Sequence, residues 1–305
     1  MPNINKRVAW LLPLFLWGCQ LLPSSDPSSD NDGTADIAAT HFSYHLAFAN
    51  ADTMPYHQAT VYQTQHDSLD YERADIVKII LTYPVMDSLS SVAAADSIHQ
   101  KIDYLLLKKQ NGDLAFESTE QRLRAFIQDF EEYDQDMKDF GLMSGPKWFN
   151  TVSIQTQLNR ANLYSFSILE SEFMGGAHAN ESTHYYNINT KTGQEIQLHQ
   201  VYDTTASNHI QKAAVVAFKQ KVAIPLDSNL VTSSFGIEET AFPFPQNFCI
   251  QPTGILFYYN AYDLDNLTLQ QIAFLLPYDS IHQWINPAIV PLDSFPIVAT
   301  DTTTL

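Results

Sequence analysis

Residues 151–168 read TVSIQTQLNRANLYSFSI, and the spacing of apolar side chains in that stretch decides the fold class. Val152, Ile154, Thr156 and Leu158 alternate with polar neighbours, and Tyr164, Phe166 and Ile168 do so again. A period of two puts alternate side chains on opposite faces of a pleated strand, so both runs are predicted strands with one buried face. Asn159, Arg160, Ala161 and Asn162 lie between them and predict a hairpin closed by a four-residue loop.

Working outward, the chain downstream of this hairpin is mostly β. The run 174–180 is an irregular Gly-Gly loop, and Tyr186 and Ile188 belong to another strand. Residues 190–193 form a turn, and a strand returns over Glu195 to Leu198. Ile210, Ala213, Ala214, Ala217 and Phe218 recur at helical spacing, with Ser207 as the predicted cap. Residues 225–246 carry prolines and no period, so they are loop. Residues 247–251 and 255–259 form a second hairpin about Pro252-Thr253-Gly254, and 271–277 is a last strand before a short helix over 278–285. Upstream, Phe42, Tyr44, Leu46 and Phe48 alternate, 60–65 is a second strand, and 76–83 a third that stops at Pro84, which has no N–H for a ladder. Two helices follow. Ile98, Ile102, Leu105 and Leu106 mark the first. Leu123, Phe126, Ile127, Phe130, Tyr133, Met137 and Phe140 form one stripe of the second, with Ser118 and Gln121 as its capping box. The fold class is α+β. A strand-and-helix subdomain over 41–145 is followed by a mixed subdomain with a mainly antiparallel sheet over 146–290. A tail covers 291–305, with fraying expected from about Asp293.

The N-terminus carries different information. Lys6 and Arg7 precede an apolar run from Val8 to Trp17, and Leu16-Trp17-Gly18-Cys19 ends it. The run is about half the roughly 20 residues that a spanning helix needs, so it reads as a secretory signal over 1–18. The last four residues resemble the lipobox of bacterial lipoproteins, which implies cleavage before Cys19 and lipidation of its thiol. The membrane is then a partner through that anchor. Ser, Asp, Pro and Thr dominate 19–40, a flexible tether. The expected location is extracytoplasmic, on the cell envelope, and in a Gram-negative cell on the outer membrane or cell surface.

The formal net charge is −18, and removal of residues 1–18 leaves 14 basic against 34 acidic residues, or −20. Such a field repels nucleic acid and suits a cationic partner. With Cys19 spent on lipid, Cys249 has no disulfide partner and reads as a small buried hydrophobe. No phosphate-binding glycine loop and no zinc-type spacing is present. His178, His184, His199 and His209 fall within 32 residues but match no metal motif, so no cofactor and no metal are expected. Two loops attract attention. Gly175 and Gly176 point to positive φ or a close approach, with His178 and Asn180 beside them. Tyr258-Tyr259-Asn260-Ala261-Tyr262-Asp263 carries aromatics suited to protein or carbohydrate contact, although alternation in the strand leaves only one of Tyr258 and Tyr259 facing outward.

Gly175-Gly176-Ala177-His178-Ala179-Asn180, the strand Tyr186-Asn187-Ile188-Asn189 and the turn Lys191-Thr192-Gly193 resemble the domain of unknown function 3298. So do Phe248 to Gln251, Thr253-Gly254-Ile255, Phe257 to Tyr259, Tyr262-Asp263, Ile272-Ala273-Phe274 and Pro277-Tyr278, over roughly residues 146–285 in all. Residues 80–86 and the helix after them resemble its partner, the domain of unknown function 4163. In that pairing the domains form the extracellular parts of a lysozyme-sensing anti-sigma factor and of a peptidoglycan deacetylase. Neither a cytoplasmic sigma-binding segment nor an appended deacetylase domain is expected here, and Asp265-Asn266-Leu267 stands where the family often continues to a second Pro-Tyr. The resemblance implies a non-enzymatic envelope-binding lipoprotein that recognises a lysozyme-like protein or peptidoglycan. Its binding residues would be Gly175, Gly176, His178, Asn180, Asn260, Tyr262 and Asp263. Two other classes compete: a glycan-modifying enzyme that uses His178, and a structural envelope lipoprotein.

Overall fold

The computed structural model describes residues 40–43, 56–65, 76–86, 92–108, 116–143, 145–264 and 270–295. Cys19, the signal segment and nearly all of the tether lie outside them, as do Tyr44, Leu46 and Phe48. The fold is α+β with mostly antiparallel strands, as the sequence predicts. Six strands form one sheet in chain order: β1 (Thr40–Ser43), β2 (Tyr56–Thr64), β3 (Lys78–Met86), β4 (Phe149–Arg160), β5 (Leu163–Phe173) and β6 (Asn180–Asn189). Neighbours pair antiparallel except β3 and β4, which run parallel from Lys78↔Phe149 to Thr82↔Ser153. A parallel pair needs a long crossover, and α1 (Val92–Leu107) and α2 (Thr119–Asp139) supply it. The strands of 41–145 and those opening 146–290 therefore share one sheet.

The two helices cover one face of that sheet. Ile98, Ile102, Leu105 and Leu106 of α1 and Leu123, Phe126, Ile127 and Phe130 of α2 bury against Ile79, Leu81, Val152, Ile154, Tyr164, Phe166 and Ile168. Each fully buried side chain of this size contributes roughly 1.5–3 kcal/mol. A second core lies downstream. There α4 (Ser207–Lys221) packs on a three-stranded antiparallel sheet of β7 (Phe248–Gln251), β8 (Gly254–Tyr259) and β9 (Ile272–Pro277). Phe218 sits at its centre with Phe235, Phe242, Tyr259 and Phe274 around it. Cys249 is fully buried within β7, and burial pushes its thiol up to about 12, so it is the inert hydrophobe expected.

Several local expectations need correction. The first hairpin turns in two residues, not four. Arg160 pairs with Leu163, while Ala161 and Asn162 take φ of +53 and +64. Two successive left-handed residues match the twist of the strands they join. Strand β3 does not stop at Pro84 but continues to Met86 opposite β2. Its pairing with β4 ends at Thr82, so Pro84 has a ladder on one side only, the edge situation that proline tolerates. Ser118 does cap α2, accepting from Gln121 N at 3.2 Å. Gln121 Oε1, however, accepts its return bond from Glu117 N at 2.6 Å, one residue before the cap. Ser207 is the first residue of α4 rather than its cap, because a short 3-10 turn over Thr204–Ala206 leads into the helix. Residues 195–198 add only a single bridge, Ile188↔Glu195, followed by the one-turn α3 (Leu198–Val201). Residues 278–285 form two 3-10 turns. The chain is also still packed at Phe295, which is buried and stacks on Tyr278 at 6.3 Å, so fraying does not begin at Asp293.

Candidate functional site

Strand β6 is the last strand of the large sheet, and its outer edge has to be satisfied. The structure does this largely with asparagine side chains. Thr183 N donates to Asn260 Oδ1 at 2.7 Å, and Thr183 O accepts from the amides of both Asn247 and Asn260. Tyr185 N donates to Asn247 Oδ1 at 2.8 Å. Farther along, Ile196 N donates to Asn187 O and Asn189 N to Gln194 O. The side chain of Asn187 reaches back to the small sheet. Its amide donates to Phe248 O, and its Oδ1 accepts from Ile250 N and Ser165 Oγ. The two sheets are thus stitched together by primary amides, each of which carries a donor and an acceptor on one planar group, as a backbone peptide does.

This stitching positions the two loops. Asn260 ends β8, with its amide on Thr183 and its own N–H on Asp263 Oδ2 at 2.7 Å. Asp263 N donates back to Asn260 O at 3.2 Å and closes a tight turn over residues 260–263. Inside the turn Tyr262 has φ +69, and its side chain is 48% exposed. The other loop joins β5 to β6, with Gly175 at φ +103 and Gly176 at φ +107. These values favour glycine, as the sequence predicts. The loops lie side by side and line a groove of about 480 Å³ with His178, Ala179, Asn180 and Glu181 on one bank and Ala261, Tyr262 and Gln271 on the other. Tyr258 Oη donates to Gln271 Oε1 at 2.7 Å and holds that wall, while Tyr259 turns inward to donate to Pro243 O.

The structure therefore brings Tyr262, His178 and Asn180 to one groove, with Gly175 and Gly176 in the loop that builds one bank. The Asn260 side chain is spent on Thr183 of β6 and the Asp263 carboxylate on Asn260 N, so both act on the groove by shaping the turn that carries Tyr262. The ring of His178 meets its neighbour's carbonyl, Ala179 O, at 3.1 Å. Among the described residues no carboxylate hydrogen-bonds it. Among the described residues no three His, Cys, Asp or Glu side chains gather as a metal site.

One feature was missed in the sequence. Beside the groove, and sharing Asn180 and Glu181 with it, lies a polar cleft of about 300 Å³ that also takes in Lys108, Glu170, Glu172, Ser182 and His184. Buried Arg122 donates to Leu106 O at 2.6 Å, to Asn150 Oδ1 at 3.3 Å and to Glu170 Oε1 at 3.1 Å, and Asn150 donates to Glu172 Oε2 at 2.6 Å. Partial burial, and then Lys108, hold the His184 imidazole below its usual pKa. The signal was present: Glu170 and Glu172 continue the inward-facing row Tyr164, Phe166, Ile168, so carboxylates stand where the period demands buried side chains.

Comparison with solved structures places this architecture. A member of the domain of unknown function 3298 family from Bacteroides fragilis superposes with a TM-score of 0.61 at 16% identity, covering 81% of this chain and 100% of that one. A protein of the same family from Pseudomonas aeruginosa gives 0.52 at 14% identity, covering 78% and 97%. The fold is that of the domain of unknown function 3298. Residues 71–181 also match the family model described as deacetylase PdaC, a span that runs from before β3 to the start of β6 and includes the Gly-Gly loop of this 3298-type fold. No curated protein matches the chain.

Proposed function

We propose that the chain is a cell-envelope binding protein that holds its ligand non-covalently in the groove between residues 174–181 and 260–264. The carrying observation is Tyr262, kept solvent-facing at φ +69 by a turn stapled at both ends, across the groove from His178. A rigid exposed aromatic in a concave setting is the usual anchor of a binding surface. The ligand is a basic protein of the lysozyme type, or peptidoglycan. The charge of −18 favours the first, and Asn180, Glu181 and Gln271, set among the apolar surface of the groove, offer hydrogen-bonding groups to the second. The protein works outside the cytoplasm, anchored through lipid on Cys19.

Two measurements test this reading. The chain from Ile37 onward forms one compact unit and can be titrated with lysozyme and with purified peptidoglycan. Saturable binding to one of them is expected, and binding to neither contradicts the proposal. Labelling of whole cells with a fatty-acid probe should mark the native protein and not Cys19→Ala; equal labelling removes the anchor.

A further inference from the structure

The C-terminal end of α2 carries an apolar surface that is left exposed among the described residues. Phe140 and Met143 are 79% and 91% exposed, the two most exposed large apolar side chains among the described residues, and Leu142 between them is 56% exposed. Earlier in the helix the same stripe is covered, with Phe126, Phe130 and Tyr133 packed on Trp148. The stripe simply outruns its cover. The end is not frayed, however. Gly141 takes φ +72, its N–H donates to Lys138 O at 2.9 Å, and Leu142 N–H donates to Met137 O at 2.8 Å. These two bonds complete a Schellman closure, which fixes the backbone that presents the apolar side chains.

The surroundings are acidic. Glu131, Glu132, Asp136 and Asp139 are exposed on the last turns of α2, while the one basic side chain there, Lys138, is paired with Asp134 at 2.6 Å. We infer that this tip is a docking surface for a basic protein whose own apolar patch is ringed by lysine or arginine. A second copy of the chain would bring the same carboxylates face to face, and an anionic membrane would be repelled by them. A cationic rim around an apolar centre complements both features at once. None of these residues lines the groove at Tyr262, so the inference stands apart from the function proposed for that groove.

The test uses the full chain and, as probe, an amphipathic helical peptide of about 18 residues built from leucine and lysine. Calorimetric titration should show saturable binding that weakens as salt rises. The double variant Phe140→Ser, Met143→Ser should weaken it about tenfold or more with an unchanged melting temperature, whereas Leu226→Ser, at an exposed apolar side chain outside both surfaces, should leave it unaltered. The pair Asp136→Asn, Asp139→Asn should reduce the salt dependence. Equal binding by the double serine variant overturns the inference. So does self-association in sedimentation that the same variant abolishes, or variant-sensitive adsorption to phosphatidylcholine vesicles.

Discussion

Tyr262 occupies a backbone region that residues with a Cβ enter at a cost of roughly 1–2 kcal/mol. The turn that imposes it, with Asn260 bound to Thr183 and Asp263 bound to Asn260, is strong enough to hold that strain. Comparing Tyr262→Gly with Tyr262→Ala isolates the strain, since both lack the ring. Thermal unfolding should show the glycine variant more stable by about 1 kcal/mol, and equal stability would mean that the turn relaxes. Gly176, at φ +107, poses the opposite case. A Cβ there meets nothing within 4 Å, so only the backbone objects. Gly176→Val should lower the melting temperature by the equivalent of about 1 kcal/mol or more, and Ala179→Ser should leave it unchanged. The glycines were legible because only glycine takes that conformation freely. The strain at Tyr262 was not, because a tyrosine gives no sign of φ and the Asn260 that starts its turn is held by Thr183, far away in sequence.

Among the elements, the strands were legible from alternation and the helices from their stripes, because both periods are local. Turn geometry was less so. Ala161 at φ +53 is an unlikely residue for a two-residue hairpin turn, and a longer loop is the natural reading of Asn-Arg-Ala-Asn. The amide stitching was invisible for another reason: Asn187 and Asn247 look like ordinary strand-end polar residues until β6 and β7 are side by side. Asn187 has almost no exposed surface, and its amide satisfies Phe248 O, Ile250 N and Ser165 Oγ. Asn187→Leu strands all three groups in a buried setting, at a cost on the order of 3 kcal/mol. Hydrogen exchange at the Ile250 amide should accelerate strongly in that variant. Unchanged protection there would show that the two sheets are held together by other means.

At the scale of the whole molecule, α+β content followed from the order of periodic segments, but the joining of β3 to β4 across two helices did not, since no local pattern encodes which strand becomes a neighbour. The polar cleft arises from the same assembly. Arg122 of α2 reaches Glu170 of β5 only because the crossover lays that helix on the sheet. The groove likewise needs both sheets, one supplying His178 and Asn180 and the other Tyr262 and Gln271. Two loops about eighty residues apart in sequence were recognisable as candidates from their glycines and tyrosines, and the amide-stitched edge of β6 is what sets them beside each other. The central claim is that this shared groove binds the envelope ligand with Tyr262 as its anchor. It is tested most directly by the dissociation constant of Tyr262→Ala for the lysozyme or peptidoglycan that the native chain binds. A loss of ~2 kcal/mol, roughly thirtyfold in Kd, with the fold intact is predicted; an unchanged Kd would contradict the account.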